Sequence, residues 1–309
     1  MNKQDDFQNE LTAITEETNR TVLSFLPDVT DAKGKALVVA EGMRYALEGG
    51  GKRLRPVLMR LAFELYHGKN EALLAPFQAA IEMIHTYSLV HDDLPCMDDD
   101  TLRRGRKTTH VVYGEGMAVL AGDGLLNAAY ETALRATEAC EDGEELLRVV
   151  LALRILADKA GVHGMVGGQC VDIESEKNAQ EADAETLSFI HENKTAALFE
   201  AALTCGAILA DAPEREVDRM EKLGFYVGHV FQITDDILDE TGDAATLGKS
   251  AGKDKASGKL TWTGLYGTEQ AKADARALSD EALSLLAEAG AAEDGFFYRL
   301  VSSLLSREF

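Results

Sequence analysis

The sequence has few prolines, no paired cysteines and little basic charge. Five prolines in 309 residues, with abundant Ala, Leu and Glu, argue against many short strands joined by tight turns and favour long helices. None of the four cysteines forms a CxxC pair, and the opening residues MNKQDDFQNE do not resemble a signal peptide. We therefore expect a cytoplasmic protein with free thiols.

The charge balance and the length of the apolar runs exclude two further classes. Lys and Arg number 31 against 53 Asp and Glu, so the net charge is -22 at pH 7. An acidic chain without a lysine-rich stripe repels the nucleic-acid backbone, and we expect no nucleic-acid partner. No apolar run reaches the roughly 18 to 20 residues of a spanning helix, so no stable membrane insertion is expected.

Helical periodicity recurs along the whole chain without a low-complexity linker or a step in composition. This pattern predicts one all-α domain over residues 1–309. Irregular polar or Gly-rich segments are expected at residues 49–56, 94–114 and 242–263. The predicted helices lie near residues 5–25, 33–48, 55–67, 71–92, 116–138, 144–163, 184–209, 214–241, 268–288 and 293–306.

Two clusters of aspartate interrupt this apolar pattern. The first contains five carboxylates in the nine positions 92–100: Asp92, Asp93, Asp98, Asp99 and Asp100. Like charges this close repel one another, and a divalent cation relieves the repulsion. Ligands that are all oxygen suit Mg²⁺ or Mn²⁺. An acidic loop in solvent is the alternative for this cluster taken alone.

The second cluster lies within a predicted helix. Gln232, Asp235, Asp236 and Asp239 follow an i, i+3, i+4, i+7 spacing, which places them along one helix face while apolar residues occupy the other side. Asp235 and Asp239 are one turn apart and can share a metal. A second Asp-rich helix makes the interpretation as a solvated surface much weaker.

Basic residues accompany the clusters. Arg103, Arg104 and Arg106 follow the first one, and the stretch GGGKRLRP at residues 49–56 carries Lys52, Arg53 and Arg55. Arg suits bidentate recognition of phosphate, and glycines let the backbone approach an anion. A diphosphate ligand is therefore indicated. The stretch lacks the GxxxxGK[ST] pattern of a P-loop, which disfavours a nucleotide triphosphatase.

These residues together resemble the trans-prenyltransferase family, and within it the bacterial farnesyl type. Residues 92–98 match the family's DDxxxxD motif and residues 235–239 its DDxxD motif, with further matches at residues 49–56, 102–105, 167–169, 193–195 and 231–236. The resemblance implies a bundle of about ten core helices around a deep cavity, as a homodimer. It also implies a reaction that joins isopentenyl diphosphate to dimethylallyl and geranyl diphosphate and yields farnesyl diphosphate.

The resemblance further assigns roles to individual residues. Isopentenyl diphosphate would be bound by Lys52, Arg55, His85 and Arg104, with Phe231 near the alkene. The allylic diphosphate would be bound by Arg103, Lys194, Thr195, Gln232 and Lys249, and Lys259 would be a further substrate-binding residue. About three Mg²⁺, which Mn²⁺ can replace, would be held by Asp92, Asp98, Asp235 and Asp239. The catalytic set implied is Asp92, Asp93, Asp98, Arg103, Lys194, Asp235 and Asp236.

Product length is assigned to Tyr87 and the adjacent Ser88. Tyr87 precedes Asp92 by five residues, or roughly 7 to 8 Å along a helix, where a ring can form the floor of the cavity. Two departures from the family pattern are Trp262-Thr263 after the lysine loop and Thr101 beside the first cluster. The alternatives are a geranylgeranyl diphosphate synthase, a terpene cyclase, and a non-catalytic prenyltransferase subunit or acidic binding module.

Overall fold

The computed structural model describes residues 3–27, 36–177, 183–241 and 259–306, and these form an all-α bundle, as predicted. The helices are α1 Lys3–Ser24, α2 Leu37–Leu47, α3 Leu54–Leu65, α4 Glu71–Asp92, α5 Thr109–Tyr113, α6 Glu115–Leu134, α7 Gly143–Ala160, α8 Met165–Lys177, α9 Ala184–Ile190, α10 Ala197–Leu209, α11 Glu214–Thr241, α12 Trp262–Tyr266, α13 Thr268–Glu288 and α14 Phe296–Ser306. Within these residues no helix is both long and apolar enough to cross a bilayer.

Helix α10 lies at the centre of the bundle. Nearly every residue of this helix is buried, and a helix that is apolar all round is stable only when other elements surround it. It packs against α3, α7 and α11. Two apolar cores meet along it: one is formed largely by α4, α6 and α7, and the other by α3, α11, α13 and α14.

Local capping sets where several helices begin. The side chain of Asn70 accepts a hydrogen bond from the N–H of Ala72 at the start of α4. Asp142 caps α7 in the same way, and Asp183 caps α9. Such caps satisfy amide groups that have no partner within the first turn. The start of α4 fixes the direction of the helix that ends at the first aspartate cluster.

The segment after α4 is more ordered than the sequence predicted. Leu102–Arg103 pairs in antiparallel fashion with Arg106–Lys107, and α5 follows. The turn consists of Arg104 and Gly105, both with positive φ (53° and 74°), which is typical of a two-residue hairpin. The hairpin places two successive arginines, Arg103 and Arg104, beside the end of α4.

Two other predictions of helix boundaries were wrong. No helix was predicted between residues 163 and 184, yet α8 occupies Met165–Lys177. The helix was missed because its glycines obscure the helical pattern in the sequence. In the structure these glycines allow close packing. A Cβ on Gly168 would collide with the backbone of Lys194. The helix predicted over 184–209 is divided by a π-helical turn at His191–Ala196. Such turns widen the backbone and often occur at functional sites.

Candidate active site

The first aspartate cluster begins at the C-terminal end of α4. Asp92 is the last residue of that helix, and its carboxylate accepts a hydrogen bond of 2.6 Å from the Gln169 amide of α8. The chain then turns back, so that the N–H of Asp98 donates to the carbonyl of Asp92 (2.9 Å). Burial raises the pKa of the Asp92 carboxyl, while the positive charge of Lys194 opposes that shift.

Arg103 supports this cluster from the hairpin. Its guanidinium donates twice to the same oxygen of Asp93, at 2.8 Å from Nε and 2.6 Å from Nη2, and lies 3.9 Å from Asp100. Asp93 is 4% exposed, and burial raises its pKa even though the bond from Arg103 lowers it. Arg103 therefore offsets one of the five negative charges of the cluster and holds Asp93 in place.

A basic group lies beside the hairpin. It consists of Arg55 at the start of α3, His85 on α4 and Arg104 in the turn. Burial lowers the pKa of His85 well below its usual value, and the nearby charges of Arg55 and Arg104 lower it further. Burial lowers the pKa of Arg55 to about 10. Three of the four residues assigned to isopentenyl diphosphate are thus brought together, and the fourth, Lys52, is exposed three residues before Arg55.

Close backbone packing holds the basic group in place. Arg104 donates to the carbonyl of Gly50. A Cβ on Gly51, where φ is 130°, would overlap the Arg104 guanidinium at 2.5 Å, so glycine is needed for this approach. The Gly-rich backbone at residues 49–51 therefore leaves room for the side chain of Arg104.

The sequence grouped Arg53 with the phosphate-binding cations, and the structure contradicts this. Arg53 is 3% exposed and forms an ion pair of 2.6 Å with Glu82. Its remaining donors reach the side chain of Asn19 and the carbonyl of Leu47. A buried, fully hydrogen-bonded guanidinium has a structural role: it ties the Gly-rich stretch to α1 and α4.

Phe231 lies close to the basic group through one intervening ring. The Arg55 guanidinium lies 4.5 Å above the ring of Phe199, and Phe199 contacts Phe231 with ring centroids 5.5 Å apart. Phe231, which the resemblance placed near the alkene of isopentenyl diphosphate, is therefore one ring away from a cation assigned to the same substrate. Phe199 itself was not predicted.

The π-helical turn carries the next two predicted residues. Lys194 forms an ion pair of 2.5 Å with Asp172 of α8, one turn beyond Gln169. The hydroxyl of Thr195 donates to Gln232 of α11 at 3.0 Å. The turn therefore connects the face of α8 that contacts Asp92 with the helix that carries the second aspartate cluster.

The second cluster is held by contacts from distant parts of the chain. Gln232 donates to Asp236 at 3.3 Å, in agreement with the predicted i, i+4 spacing. Asp236 is 4% exposed and accepts a hydrogen bond of 2.7 Å from the main-chain N–H of Trp262, with His191 Nε2 at 3.8 Å. Asp235 and Asp239 lie half-buried on the same helix.

Lys259 connects the two clusters. Its ammonium lies 3.4 and 3.5 Å from the two carboxylate oxygens of Asp98 and 3.6 Å from Glu176. Only two residues separate it from Trp262, which contacts Asp236. Lys249, also predicted to bind the allylic diphosphate, lies outside the described residues.

The two residues assigned to product length lie on α4 as predicted. Tyr87 is 6% exposed, and its ring meets His91 edge-on with centroids 5.7 Å apart. Burial raises the pKa of Tyr87 to about 12, helped by the neighbouring Tyr130. The Ser88 hydroxyl donates to the carbonyl of His85 at 2.9 Å.

Residues 37–293 match the polyprenyl synthetase family. The chain belongs to that family. It is 42% identical to the farnesyl diphosphate synthase of Bacillus subtilis over 85% of this chain and 87% of that protein. It is also 46% identical to the heterodimeric geranylgeranyl pyrophosphate synthase large subunit 2 of Arabidopsis thaliana, over 81% of this chain but only 65% of that protein's length.

Solved structures support the same family and the isoprenoid-synthase fold. An FPP/GFPP synthase from Zymomonas mobilis aligns with a TM-score of 0.82 and 32% identity over 98% of both chains. A geranyltransferase from Helicobacter pylori, solved in complex with magnesium and isoprenyl diphosphate, aligns with a TM-score of 0.79 and 30% identity over 96% of both chains. The prediction of a prenyltransferase family is confirmed.

Polyprenyl synthetases use magnesium, and the carboxylates here fit that ion. Among the residues that the structure describes, no three His, Cys, Asp or Glu side chains are close enough to hold a metal together. Mg²⁺ does not require such a cage, because it is bound by one or two carboxylates plus phosphate oxygens and water. Burial destabilises the charged form of Asp92, and a bound cation would stabilise it.

Several residues of the site escaped prediction. Asp172 lies on α8, the helix that was not predicted, and Gln169 of the same helix lies in the family match at 167–169 but was given no role, although their spacing of three residues is a helical signal. Glu82 and Phe199 lie within long apolar stretches and are buried in the structure. Their contacts with Arg53 and Arg55 arise only when α3, α4 and α10 pack together.

Proposed function

We propose that this polyprenyl synthetase condenses isopentenyl diphosphate with dimethylallyl diphosphate and then with geranyl diphosphate, and releases (E,E)-farnesyl diphosphate. The observation that carries the proposal is the division of charge at the end of α4. His85 lies within electrostatic range of Arg55 and Arg104, whereas Asp92 lies within range of Asp98, Lys194 and Lys259. One site suits a diphosphate bound by cations alone, and the other a diphosphate bound through metal.

The chain's own residues account for most of the chemistry. Arg55, Arg104 and Lys52 bind isopentenyl diphosphate and keep its alkene beside Phe231. Lys194 and Lys259 stabilise the charge that develops on the allylic diphosphate as its C–O bond breaks, together with Arg103 if substrate draws that guanidinium away from Asp93. Bound Mg²⁺ supplies Lewis-acid stabilisation of the same leaving group. Gln232 and Thr195, which are joined by a hydrogen bond, orient the side of the site that faces this leaving group.

Each cycle breaks a C–O and a C–H bond, forms a C–C bond and moves the isopentenyl double bond. The allylic C–O bond breaks, and its electron pair leaves with the diphosphate. The isopentenyl double bond then attacks the allylic cation and forms the new C–C bond. The released diphosphate accepts the proton lost from the neighbouring carbon, which restores a double bond, so the side chains need not supply a base. The buried aliphatic and aromatic side chains of the bundle keep water from the cation.

Product length has two candidate outcomes. The relatives include both geranylgeranyl pyrophosphate synthases at 45% to 47% identity and a farnesyl diphosphate synthase at 42%. We favour C15, because Tyr87 is a bulky buried ring one and a half turns before Asp92, where it can block the growing chain. A C20 product is the alternative.

Replacing Tyr87 with Ala tests this assignment. Chromatography of the products made from isopentenyl and dimethylallyl diphosphate should give C15 for the wild-type enzyme and C20 for Tyr87→Ala, because truncation removes the ring that limits the pocket. Tyr298→Ala, a truncation of a half-buried ring on α14, is the matched control and should leave C15 unchanged. A wild-type enzyme that already makes mainly C20 would contradict the C15 proposal, and a variant that still stops at C15 would contradict the assignment of Tyr87 as the floor of the pocket.

We also propose that the enzyme is a cytoplasmic homodimer. Helix α7 exposes an apolar stripe of Leu146, Leu147, Val150 and Leu151, and α6, which packs against α7, exposes Leu120 and Leu134. Such contiguous apolar surface is typical of a subunit interface, and a second copy covers it without any further component. The free cysteines fit a reducing compartment.

Light scattering on the purified chain tests the assembly. We expect the mass of a dimer, and we expect Leu147→Glu to shift the protein towards the monomer because it buries a charge in the interface. Leu265→Glu, on an exposed leucine of α12, is the control and should remain dimeric. A monomer that gains activity only with a different subunit would support the heterodimeric arrangement named for the Arabidopsis relatives. It would contradict the homodimer.

A further inference from the structure

Trp262 connects three elements at the second aspartate cluster. Its main-chain N–H donates to Asp236 of α11 at 2.7 Å. Its indole Nε1–H donates to Asp274 of α13 at 2.8 Å. Its ring stacks on His191 of the π-helical turn, with centroids 5.5 Å apart and planes inclined by 27°. One residue therefore fixes the start of α12 relative to α11, α13 and the π-helical turn.

The position of Trp262 restricts the position of Lys259. Three residues of extended chain span at most about 10 Å, so the backbone of Lys259 must remain within that distance of the anchored tryptophan. From there the lysine ammonium reaches Asp98 of the first cluster, at 3.4 Å from Oδ1. The Thr261 side chain between them caps α12 by accepting from the N–H of Gly264. The main chain from Lys259 to α12 is therefore held at its Trp262 end.

We propose that Trp262 is a positioning residue for binding of the allylic diphosphate. Through its indole bond to Asp274 it holds the main chain that orients Asp236 and places the Lys259 ammonium against Asp98. This inference rests on the proposed function, because it takes Lys259 and the two aspartate clusters as the allylic site. It adds a role for the tryptophan and for Asp274, a residue outside both motifs.

Packing alone would also explain a tryptophan here, and the two explanations differ in what the indole N–H does. Phe in place of Trp262 keeps an aromatic ring against His191 and keeps the main-chain N–H to Asp236, but it removes the donor to Asp274. Asp274 also accepts from Gln270 at 2.8 Å, so its carboxylate stays oriented when the indole bond is lost. Gln270→Ala then serves as a control that removes a bond to the same carboxylate without touching Trp262.

Calorimetric titration separates binding from turnover. With Mg²⁺ present, we expect Trp262→Phe to raise the Kd of geranyl diphosphate by about tenfold, the effect of losing one hydrogen bond to a charged group. The Kd of isopentenyl diphosphate should change less than about twofold, because the basic group around Arg55 contacts neither Trp262 nor Asp274. Asp274→Ala should give the same selective loss, and Gln270→Ala should bind both substrates as the wild-type enzyme does.

The double variant decides whether the two residues act through one bond. If they do, Trp262→Phe combined with Asp274→Ala is no weaker than the poorer single variant, since the shared interaction is lost only once. Additive losses, an unchanged Kd for geranyl diphosphate, or equal weakening of both substrates with a lowered melting temperature would overturn the proposal. If the wild-type enzyme binds geranyl diphosphate but makes C20, the proposed C15 product is wrong. The titration still decides the role of Trp262, because that role concerns binding and not product length.

Discussion

The two aspartate clusters of this enzyme are supported in different ways. The first cluster combines a nearby cation with distant partners: Arg103 binds Asp93 ten residues before it, whereas Gln169 binds Asp92 and Lys259 lies 3.4 Å from Asp98. The second cluster depends on distant segments, since Asp236 accepts from Trp262, 26 residues away, and lies against His191. The first cluster therefore has a cation close to it in the sequence, while Asp236 of the second is held by segments that pack against its helix.

The two clusters therefore differ in what depends on correct packing: the counter-charge of the carboxylates or the position of their side chains. The charge of Arg103 stays close to Asp93 because both lie on one short stretch of chain, although a single arginine offsets only one of the five carboxylates. A cluster whose partners lie on other helices has its geometry only when those helices pack correctly. We therefore expect the second cluster to be the more sensitive to changes in packing, while both are equally sensitive to loss of their own charge.

Neutralising one aspartate in each cluster should give the largest effect. Asp92→Asn and Asp235→Asn should each lower kcat by at least about a hundredfold, because each removes a charge that stabilises the leaving diphosphate through the metal. Removal of Mg²⁺ with EDTA should abolish turnover in the wild-type enzyme. Steady-state product formation measures all three.

The matched control is Asp280→Ala, which removes an exposed carboxylate of α13 and should keep the wild-type kcat. Circular dichroism should give the wild-type helix content for every variant, since the removed charges are not needed for folding. Full turnover in excess EDTA would exclude a metal-binding role for both clusters. A wild-type rate in Asp92→Asn or Asp235→Asn would exclude that role for the cluster that carries the substituted residue.

The next largest effect separates the two substrates. Arg55→Gln should raise the KM of isopentenyl diphosphate by about tenfold and leave that of the allylic substrate nearly unchanged, whereas Lys194→Gln should do the reverse. The physical reason is position: Arg55 lies with His85 and Arg104, while Lys194 lies within electrostatic range of Asp92. Initial rates with one substrate varied at a time measure the split.

Arg60→Gln offers a control, since Arg60 lies on the same helix as Arg55 but pairs with Glu17 and Glu64. Both KM values should stay near those of the wild-type enzyme. If Arg55→Gln raised only the KM of the allylic substrate, the assignment of the two diphosphate sites to the two substrates would have to be reversed.

Much of the fold and of the acidic residues could be predicted from the sequence. The periodicity of α4 and α11 and the spacing of Gln232 and Asp236 are local properties, and the contact between those two side chains agrees with the spacing. Arg53 could not be separated from Arg55 in the same way. The two differ only after folding, when Glu82 and Asn19 enclose the Arg53 guanidinium and Phe199 lies beneath that of Arg55.

Helix α8 and the π-helical turn were missed for a physical reason. Gly167 and Gly168 lower the helical propensity of α8, but Gly168 lets the helix approach the backbone of Lys194. A helix propensity accounts for the destabilising effect of glycine within a helix, but not for the close contact with another helix that glycine permits. The same contact brings Gln169 to Asp92 and Asp172 to Lys194, so the unpredicted helix supplies partners for two predicted residues.

Acid should affect the two clusters with opposite sign. Burial raises the pKa of Asp92 and Asp93, so near pH 4 the folded chain binds protons more readily than the unfolded chain, and these groups favour folding as pH falls. Beside the second cluster, burial lowers the pKa of His191 to about 3 and that of His229 to about 4. Both histidines are neutral in the folded chain at neutral pH.

A further expected effect is therefore a loss of stability in mild acid that originates at the two histidines beside the second cluster. Below the unfolded value of 6.5 the unfolded chain gains a proton on each histidine and the folded chain does not. The free energy of unfolding should fall by up to about 1.4 kcal/mol per pH unit for each histidine, until the pH approaches the folded values. Urea denaturation at several pH values between about 7 and 5 measures this slope. His229→Gln should reduce the slope by the share of one histidine, whereas His163→Gln, at an exposed position, should leave it unchanged. If His229→Gln kept the full slope, the tertiary support of the second cluster would not depend on a neutral imidazole at this position.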